Sequence, residues 1–287
     1  MKVLIAIVNY NTSELLAHLL FSLFCIVGRG PLRSCDILVI DNNSTDGSRP
    51  IIKTLKQQKL IRALFNDKQM YHAPALNQAL EIAIHEKYDI LWTIDSDVVI
   101  LRTRIIRDAI NSFEGRQADI MAQFNNANEA HVSCMMLRIS TAKRLRACFA
   151  HGGNPSRYLE KQYRHSGAKI LNFPFRQGYY ILHAGCGTRK VIKEMGDTSN
   201  AWFGDVADCS PWYHGDPLAP VIHDDFKQLF KEKVPEITPQ ALYEACIKRN
   251  KLRLMLPKES PGLDPRVLSP TARGRRNIRA KKALERK

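Results

Sequence analysis

Four short apolar runs, at residues 2–8, 36–40, 61–65 and 89–94, alternate with three stretches of helical periodicity. This alternation constrains the fold most, because strands joined by helix-length crossovers pair in parallel and place helices on both faces of one sheet. The first run, Lys2-Val3-Leu4-Ile5-Ala6-Ile7-Val8, is apolar throughout after its opening lysine, as in a strand covered on both sides. Behind a cap at Thr12 or Ser13, the residues Leu15, Leu16, Leu19, Leu20, Leu23 and Phe24 form one stripe, which Gly28, Gly30 and Pro31 terminate. Further helices are expected at 50–58 and 74–86. The order predicts an α/β, Rossmann-like fold with a mostly parallel sheet.

Open sheets of this kind bind ligands in the loops after their strands. Here those loops are Asn9-Tyr10-Asn11, Asp41-Asn42-Asn43-Ser44 and, after the fourth run, Asp95-Ser96-Asp97. Two carboxylates released from one strand end, with a single small residue between them, can converge on a hard divalent cation such as Mg²⁺ or Mn²⁺. The same spacing also describes an acidic turn capping a helix. Amides and acids in the other two loops can read a base and a ribose while a metal neutralises a diphosphate. No GxGxxG follows the first run and no GxxxxGK[ST] occurs anywhere, which argues against a dinucleotide dehydrogenase and a P-loop ATPase.

The chain has 287 residues, enough for one large domain and an appendage. No stretch approaches the roughly 20 apolar residues that span a bilayer, so a soluble cytoplasmic protein is expected. Seven cysteines, scattered and without a CxxC pair, argue against disulfides and zinc. Of the net charge of +15, nine charges fall within 251–287, where twelve Lys or Arg face three acids. With Pro257, Pro261, Pro265 and Pro270 in the same segment, a flexible basic tail is expected from 257 to 287. Such a tail suits an anionic membrane surface, which would make the protein peripheral at the inner face, or nucleic acid, or serves solubility alone. The expected division is a first domain over 1–189, a helical appendage over 190–256, and that tail.

Ile5-Ala6-Ile7-Val8-Asn9-Tyr10-Asn11, Val39-Ile40-Asp41-Asn42-Asn43-Ser44-Thr45-Asp46-Gly47-Ser48, Ala75-Leu76-Asn77 and Ile94-Asp95-Ser96-Asp97 stand in order over the first hundred residues. In order and spacing they resemble family 2 glycosyltransferases of the GT-A fold. The resemblance implies transfer from a nucleoside-diphosphate sugar, most simply a UDP-sugar, to a hydroxyl acceptor, with Mn²⁺ or Mg²⁺ as cofactor. By position it implies that Asn9, Tyr10, Asp41 and Asn43 hold the base and ribose, with Asn11 and Ser96 beside them. Asn77 would help there or simply pack. Asp95 would touch the ribose or the metal shell, and Asp97 would ligate the metal directly.

In the second half two placements compete. One runs through a strand at 132–138, a helix at 141–149, a helix at 157–165, Gly167, a strand at 169–175 and Tyr179-Tyr180-Ile181-Leu182-His183, making His183 the metal histidine. The other takes Phe203-Gly204-Asp205-Val206-Ala207-Asp208 as the acidic motif and His223 as the ligand. The longer run of matched elements favours His183. At that placement the chain reads Asn154-Pro155-Ser156-Arg157 where inverting relatives carry Glu-Asp. An inverting transfer needs a base for the acceptor proton, and Glu160 or Asp205 are the candidates. A nucleotide-sugar binder without turnover, and a glycosyltransferase acting on modified bases in nucleic acid, are the alternatives.

Overall fold

The computed structural model describes residues 1–27, 35–100, 104–124, 128–150, 154–173 and 180–183. The chain opens as β1 (Val3–Asn9), α1 (Ser13–Val27), β2 (Cys35–Asp41), α2 (Ser48–Gln57), β3 (Arg62–Phe65), α3 (His72–His85) and β4 (Ile90–Asp95), the alternation the apolar runs predict. It continues through β5 (Val98–Ile100), α4 (Ile105–Gly115), β6 (Ile120–Phe124), β7 (Ala130–Arg138), α5 (Ile139–Leu145), α6 (Ser156–His165), β8 (Ile170–Asn172) and β9 (Ile181–His183).

Seven of these strands form one sheet in the order β3-β2-β1-β4-β7-β6-β8, and β5 and β9 form a second, two-stranded sheet. β1 runs parallel to β2 and β4, β2 to β3, and β6 to β8; β7 alone is reversed, antiparallel to both β4 and β6. The expected mostly parallel α/β sheet is therefore present. The reversal of β7 follows from its short connection to β6, since only antiparallel neighbours can be joined without a crossover.

Val3, Leu4, Ile5, Ala6 and Ile7 are all fully buried, which is why β1 reads as an unbroken apolar run. Alternate residues of the strands serve opposite faces. Leu4, Ala6, Leu38, Ile40 and Leu91 join one core with Ala75, Leu76, Ala79 and Leu80 of α3, Ala142 of α5, and Leu159 and Tyr163 of α6. Trp92 lies in the middle of β4 at 1% exposure, its indole N–H donating to Cys134 Sγ at 3.3 Å. Among the described residues Cys35, Cys134 and Cys148 are free thiols. Asp205, His223, the expected appendage over 190–256 and the expected tail over 257–287 lie outside the described residues.

Candidate functional site

The parallel strands deliver their loops to one edge in register. Asn9 pairs with Asp41 across β1 and β2, and Val8 pairs with Asp95 across β1 and β4. Adjacent strands are about 4.8 Å apart, so the first two loops and the Asp95-Ser96-Asp97 turn meet at the carboxyl ends of three neighbouring strands.

Their side chains bind one another. Asn9, fully buried, donates from Nδ2 to Asp41 Oδ1 at 3.1 Å and to Ser44 Oγ at 3.0 Å. Its Oδ1 accepts from Thr12 Oγ1 at 2.8 Å, and that hydroxyl lies 2.8 Å from Ser96 Oγ. Thr12 thus fastens the end of β1 to the turn after β4. Its carbonyl also accepts the Leu16 N–H at 2.8 Å, while Asp46 Oδ2 accepts the Ser13 N–H at 2.8 Å. A carboxylate from the β2 loop therefore satisfies one of the unpaired N–H groups at the start of α1.

Asp41 is fully buried. Besides the Asn9 amide it accepts the Ser44 N–H at 3.1 Å, and Arg49 Nε stands 3.2 Å from its Oδ2. A buried carboxylate needs such partners. Asn43 Oδ1 accepts from Arg49 Nη1 at 3.1 Å, and Asn11 Oδ1 accepts the Thr45 N–H at 2.7 Å. Asn11 and Asn43 both take positive φ, 50° and 64°, a region asparagine enters more readily than other side-chain-bearing residues. Tyr10 is half-buried beside them.

At the β4 end Asp95 is part-buried and Asp97 is only 8% exposed. β5 begins one residue after Asp97 and pairs antiparallel with β9, which sets the backbone of His183 opposite Val98. Sequence reasoning expected Asp97 and His183 to share a site, and their chain segments are neighbours. Among the described residues no three His, Cys, Asp or Glu side chains form a metal cluster, and the His183 side chain lies outside that description. The oxygen donors at the turn are nonetheless of the class that Mn²⁺ and Mg²⁺ prefer.

Two of the expected site residues have structural partners. Asn77 donates to the Phe149 carbonyl at 2.9 Å and accepts the Phe149 N–H at 2.8 Å, fixing α3 to the segment after α5. Glu160 is 4% exposed; one oxygen accepts the Ala130 N–H at 2.7 Å and the other accepts from Arg164 Nε at 2.8 Å. Buried there, Glu160 joins α6 to the start of β7. Thr12, expected only as a helix cap, Ser44, and Asn66 and His72, which carry no signal in the sequence, make bonds within this cluster. Their signal is spatial, since Thr12 and Ser96 are separated by most of the β1-to-β4 unit.

The sheet order, the reversed seventh strand and the polar loops at one edge define a GT-A glycosyltransferase architecture. The profile described as glycosyl transferase family 2 matches residues 4–177, and the chain belongs to that family. No curated protein matches it. Among solved structures it resembles S. aureus TarS 1-349, with 16% identity, TM-score 0.52, and coverage of 88% of this chain and 82% of that one. The same protein in complex with UDP-GlcNAc gives 15% identity and TM-score 0.51, over 90% of this chain and 82% of that one. The mannosyltransferase PcManGT from Pyrobaculum calidifontis, in complex with GDP-Man and Mn²⁺, gives 14% identity and TM-score 0.51, over 99% of this chain and 80% of that one.

Proposed function

We propose that the chain is a metal-dependent transferase that moves a glycosyl unit from a nucleoside-diphosphate sugar, first of all a UDP-sugar, to a hydroxyl of a glycan, lipid-linked or other polymer acceptor. The observation that carries this reading is the β5–β9 pairing, which brings the backbone of His183 opposite Val98 and beside Asp97 at the edge where Asn9 and Asp41 gather. Structural relatives bound to UDP-GlcNAc, and to GDP-Man with Mn²⁺, support the same reading.

Asp97, Asp95 and His183 are the residues that would hold Mn²⁺ or Mg²⁺. When bound, the cation supplies Lewis-acid stabilisation of the departing diphosphate. Asn9, Tyr10, Asn11, Asp41, Asn43 and Ser96 form the wall that meets the nucleoside, and the Asn9–Asp41 hydrogen bond, with those that Thr12, Ser44 and Arg49 make to Asn9, Ser96, Asn11 and Asn43, fixes its shape before a ligand arrives. The acceptor hydroxyl must lose a proton as it attacks the anomeric carbon. Inversion is the expected outcome, with Asp205 the remaining candidate base because both Glu160 oxygens are engaged.

Calorimetric titration with UDP and GDP, with and without Mn²⁺, tests the site. Asp97→Ala is expected to abolish metal-dependent binding, and His183→Ala to weaken metal affinity more than His223→Ala. Unchanged binding in Asp97→Ala would remove the site, and the reverse histidine order would move the ligand to His223. The engagement of Glu160 also favours a second reading, a nucleotide-sugar binder without turnover. That reading predicts affinity for UDP-sugars but no released UDP and no transferred sugar.

A further inference from the structure

Two observations meet at the turn into α3. The Tyr71 backbone stands at φ 61° and ψ 179°, a conformation that glycine enters and residues with side chains almost never do. Such a geometry persists only where neighbours fix it. Here Asn42 Nδ2 donates to the Tyr71 carbonyl at 2.9 Å, and Asn42 Oδ1 accepts from Asn66 Nδ2 at 2.8 Å. Asn66 in turn exchanges hydrogen bonds of 3.1 and 3.0 Å with Gln78, nearly two turns into α3. The β2 loop thereby holds the turn in place.

The second observation is what this turn presents. His72, the next residue, places Nε2 3.4 Å from Asp95 Oδ1, with the imidazole 34% and the carboxylate 18% exposed. This contact joins the start of α3 to the end of β4, directly on the Asp95-Ser96-Asp97 turn.

We propose that His72 is a positioning residue for the donor. It steadies the Asp95 carboxylate in the orientation that meets the nucleotide, and the unusual Tyr71 turn is what delivers it there. This rests on reading the loops at the ends of β1, β2 and β4 as a nucleoside-diphosphate-sugar site. A carboxylate at a strand end retains side-chain torsions that ligand binding must otherwise freeze. An imidazole against one of its oxygens removes that freedom in advance. The contact is not needed to dock α3, which is already anchored by its buried Ala73, Leu76, Ala79 and Leu80 and by the Asn77 bonds to Phe149. Function, more than stability, should therefore register its loss.

The test measures the affinity of the full chain for UDP and GDP in the presence of Mn²⁺, for wild type, His72→Ala, His72→Gln, Asp95→Asn and the His72→Ala/Asp95→Asn double variant. His72→Ala is expected to bind about tenfold more weakly, equivalent to about 1.4 kcal/mol, at an unchanged melting temperature. His72→Gln, whose amide can place an N–H donor near the same oxygen, is expected to recover most of the loss. The double variant is expected to bind no more weakly than Asp95→Asn alone, since a residue acting through Asp95 has nothing left to act on. Additive losses, wild-type affinity in His72→Ala, or a His72→Gln variant as weak as His72→Ala would each overturn the role of His72. A wild-type chain that takes up neither nucleotide would overturn the donor-site reading itself, and with it this inference.

Discussion

Asp41 shows how one side chain at this strand-end edge can serve both the fold and the proposed site. Its carboxylate is fully buried and meets the Asn9 amide, the Ser44 N–H and Arg49, so it welds the β2 loop to β1 before any ligand is considered. Asp41→Asn keeps the size but turns an N–H group toward donors and leaves Arg49 without its charge partner. We expect a loss of about 2 to 4 kcal/mol of stability, read as a lower urea midpoint at unchanged slope, together with weaker nucleotide binding. A drop in binding with no change in midpoint would assign Asp41 to the ligand alone. The acids and amides at this edge were legible because each follows directly on an apolar run whose end the sequence marks. Their hydrogen-bond partners were not, because Thr12 meets Ser96 only once β1 and β4 lie side by side. His72 was hidden by a helix boundary: Pro74 reads as a helix start, yet α3 begins at His72. Proline is tolerated anywhere in the first turn, where N–H groups have no helical partner.

At the scale of elements, the β-α repeat through β4 was readable because each element carries its own period, but the stretch after it was not. β5 is three residues long, too short to show any alternation, and its partner β9 lies far downstream. α4 does carry a stripe of Ile105, Ile106, Ala109 and Phe113 at helical spacing. The joints between elements carry charge as well as apolar contact. Arg62 of β3 grips Glu86, just after α3, at 2.7 Å from Nη1, and donates to the Tyr88 hydroxyl at 3.0 Å; Tyr88 in turn donates to Asp36 of β2. The hydrogen bond from Arg62 holds the Glu86 carboxyl below the usual glutamate range, against the opposing effect of burial. A carboxyl with a depressed folded pKa adds stability above its unfolded pKa and loses it as the pH falls through the folded one. Both partners are about one-third exposed, and solvent screening keeps the contribution under about 1 kcal/mol. Glu86→Gln should therefore melt slightly below wild type at neutral pH. The gap should close in acid below about pH 4, and a gap that persists there would mean the pair acts by packing and not by charge.

The molecule as a whole is divided in charge, and that division makes a prediction separate from the proposed site. Among the described residues no helix is long and apolar enough to cross a membrane, so attraction to a bilayer, where it occurs, would have to be electrostatic or come from segments outside them. Residues 257–287 carry ten Lys or Arg against three acids, seven of the fifteen net positive charges of the chain. Basic residues near an anionic leaflet contribute about 1 kcal/mol each at most, and the attraction decays over a Debye length, about 10 Å at 0.1 M salt and about 3 Å at 1 M. The full chain is accordingly expected to sediment with phosphatidylserine vesicles at low salt and to be released by about 0.5 M salt. A chain ending at residue 256 should stay in solution at both, while its affinity for UDP with Mn²⁺ is unchanged, because Asn9, Asp41, Asp95, Asp97 and His183 all precede the cut. If the shortened chain sediments equally well, the tail is not the docking element. If single-stranded RNA strips the full chain from vesicles at low salt, the tail follows phosphate charge in general, and the lipid surface is only one of the polyanions it can meet.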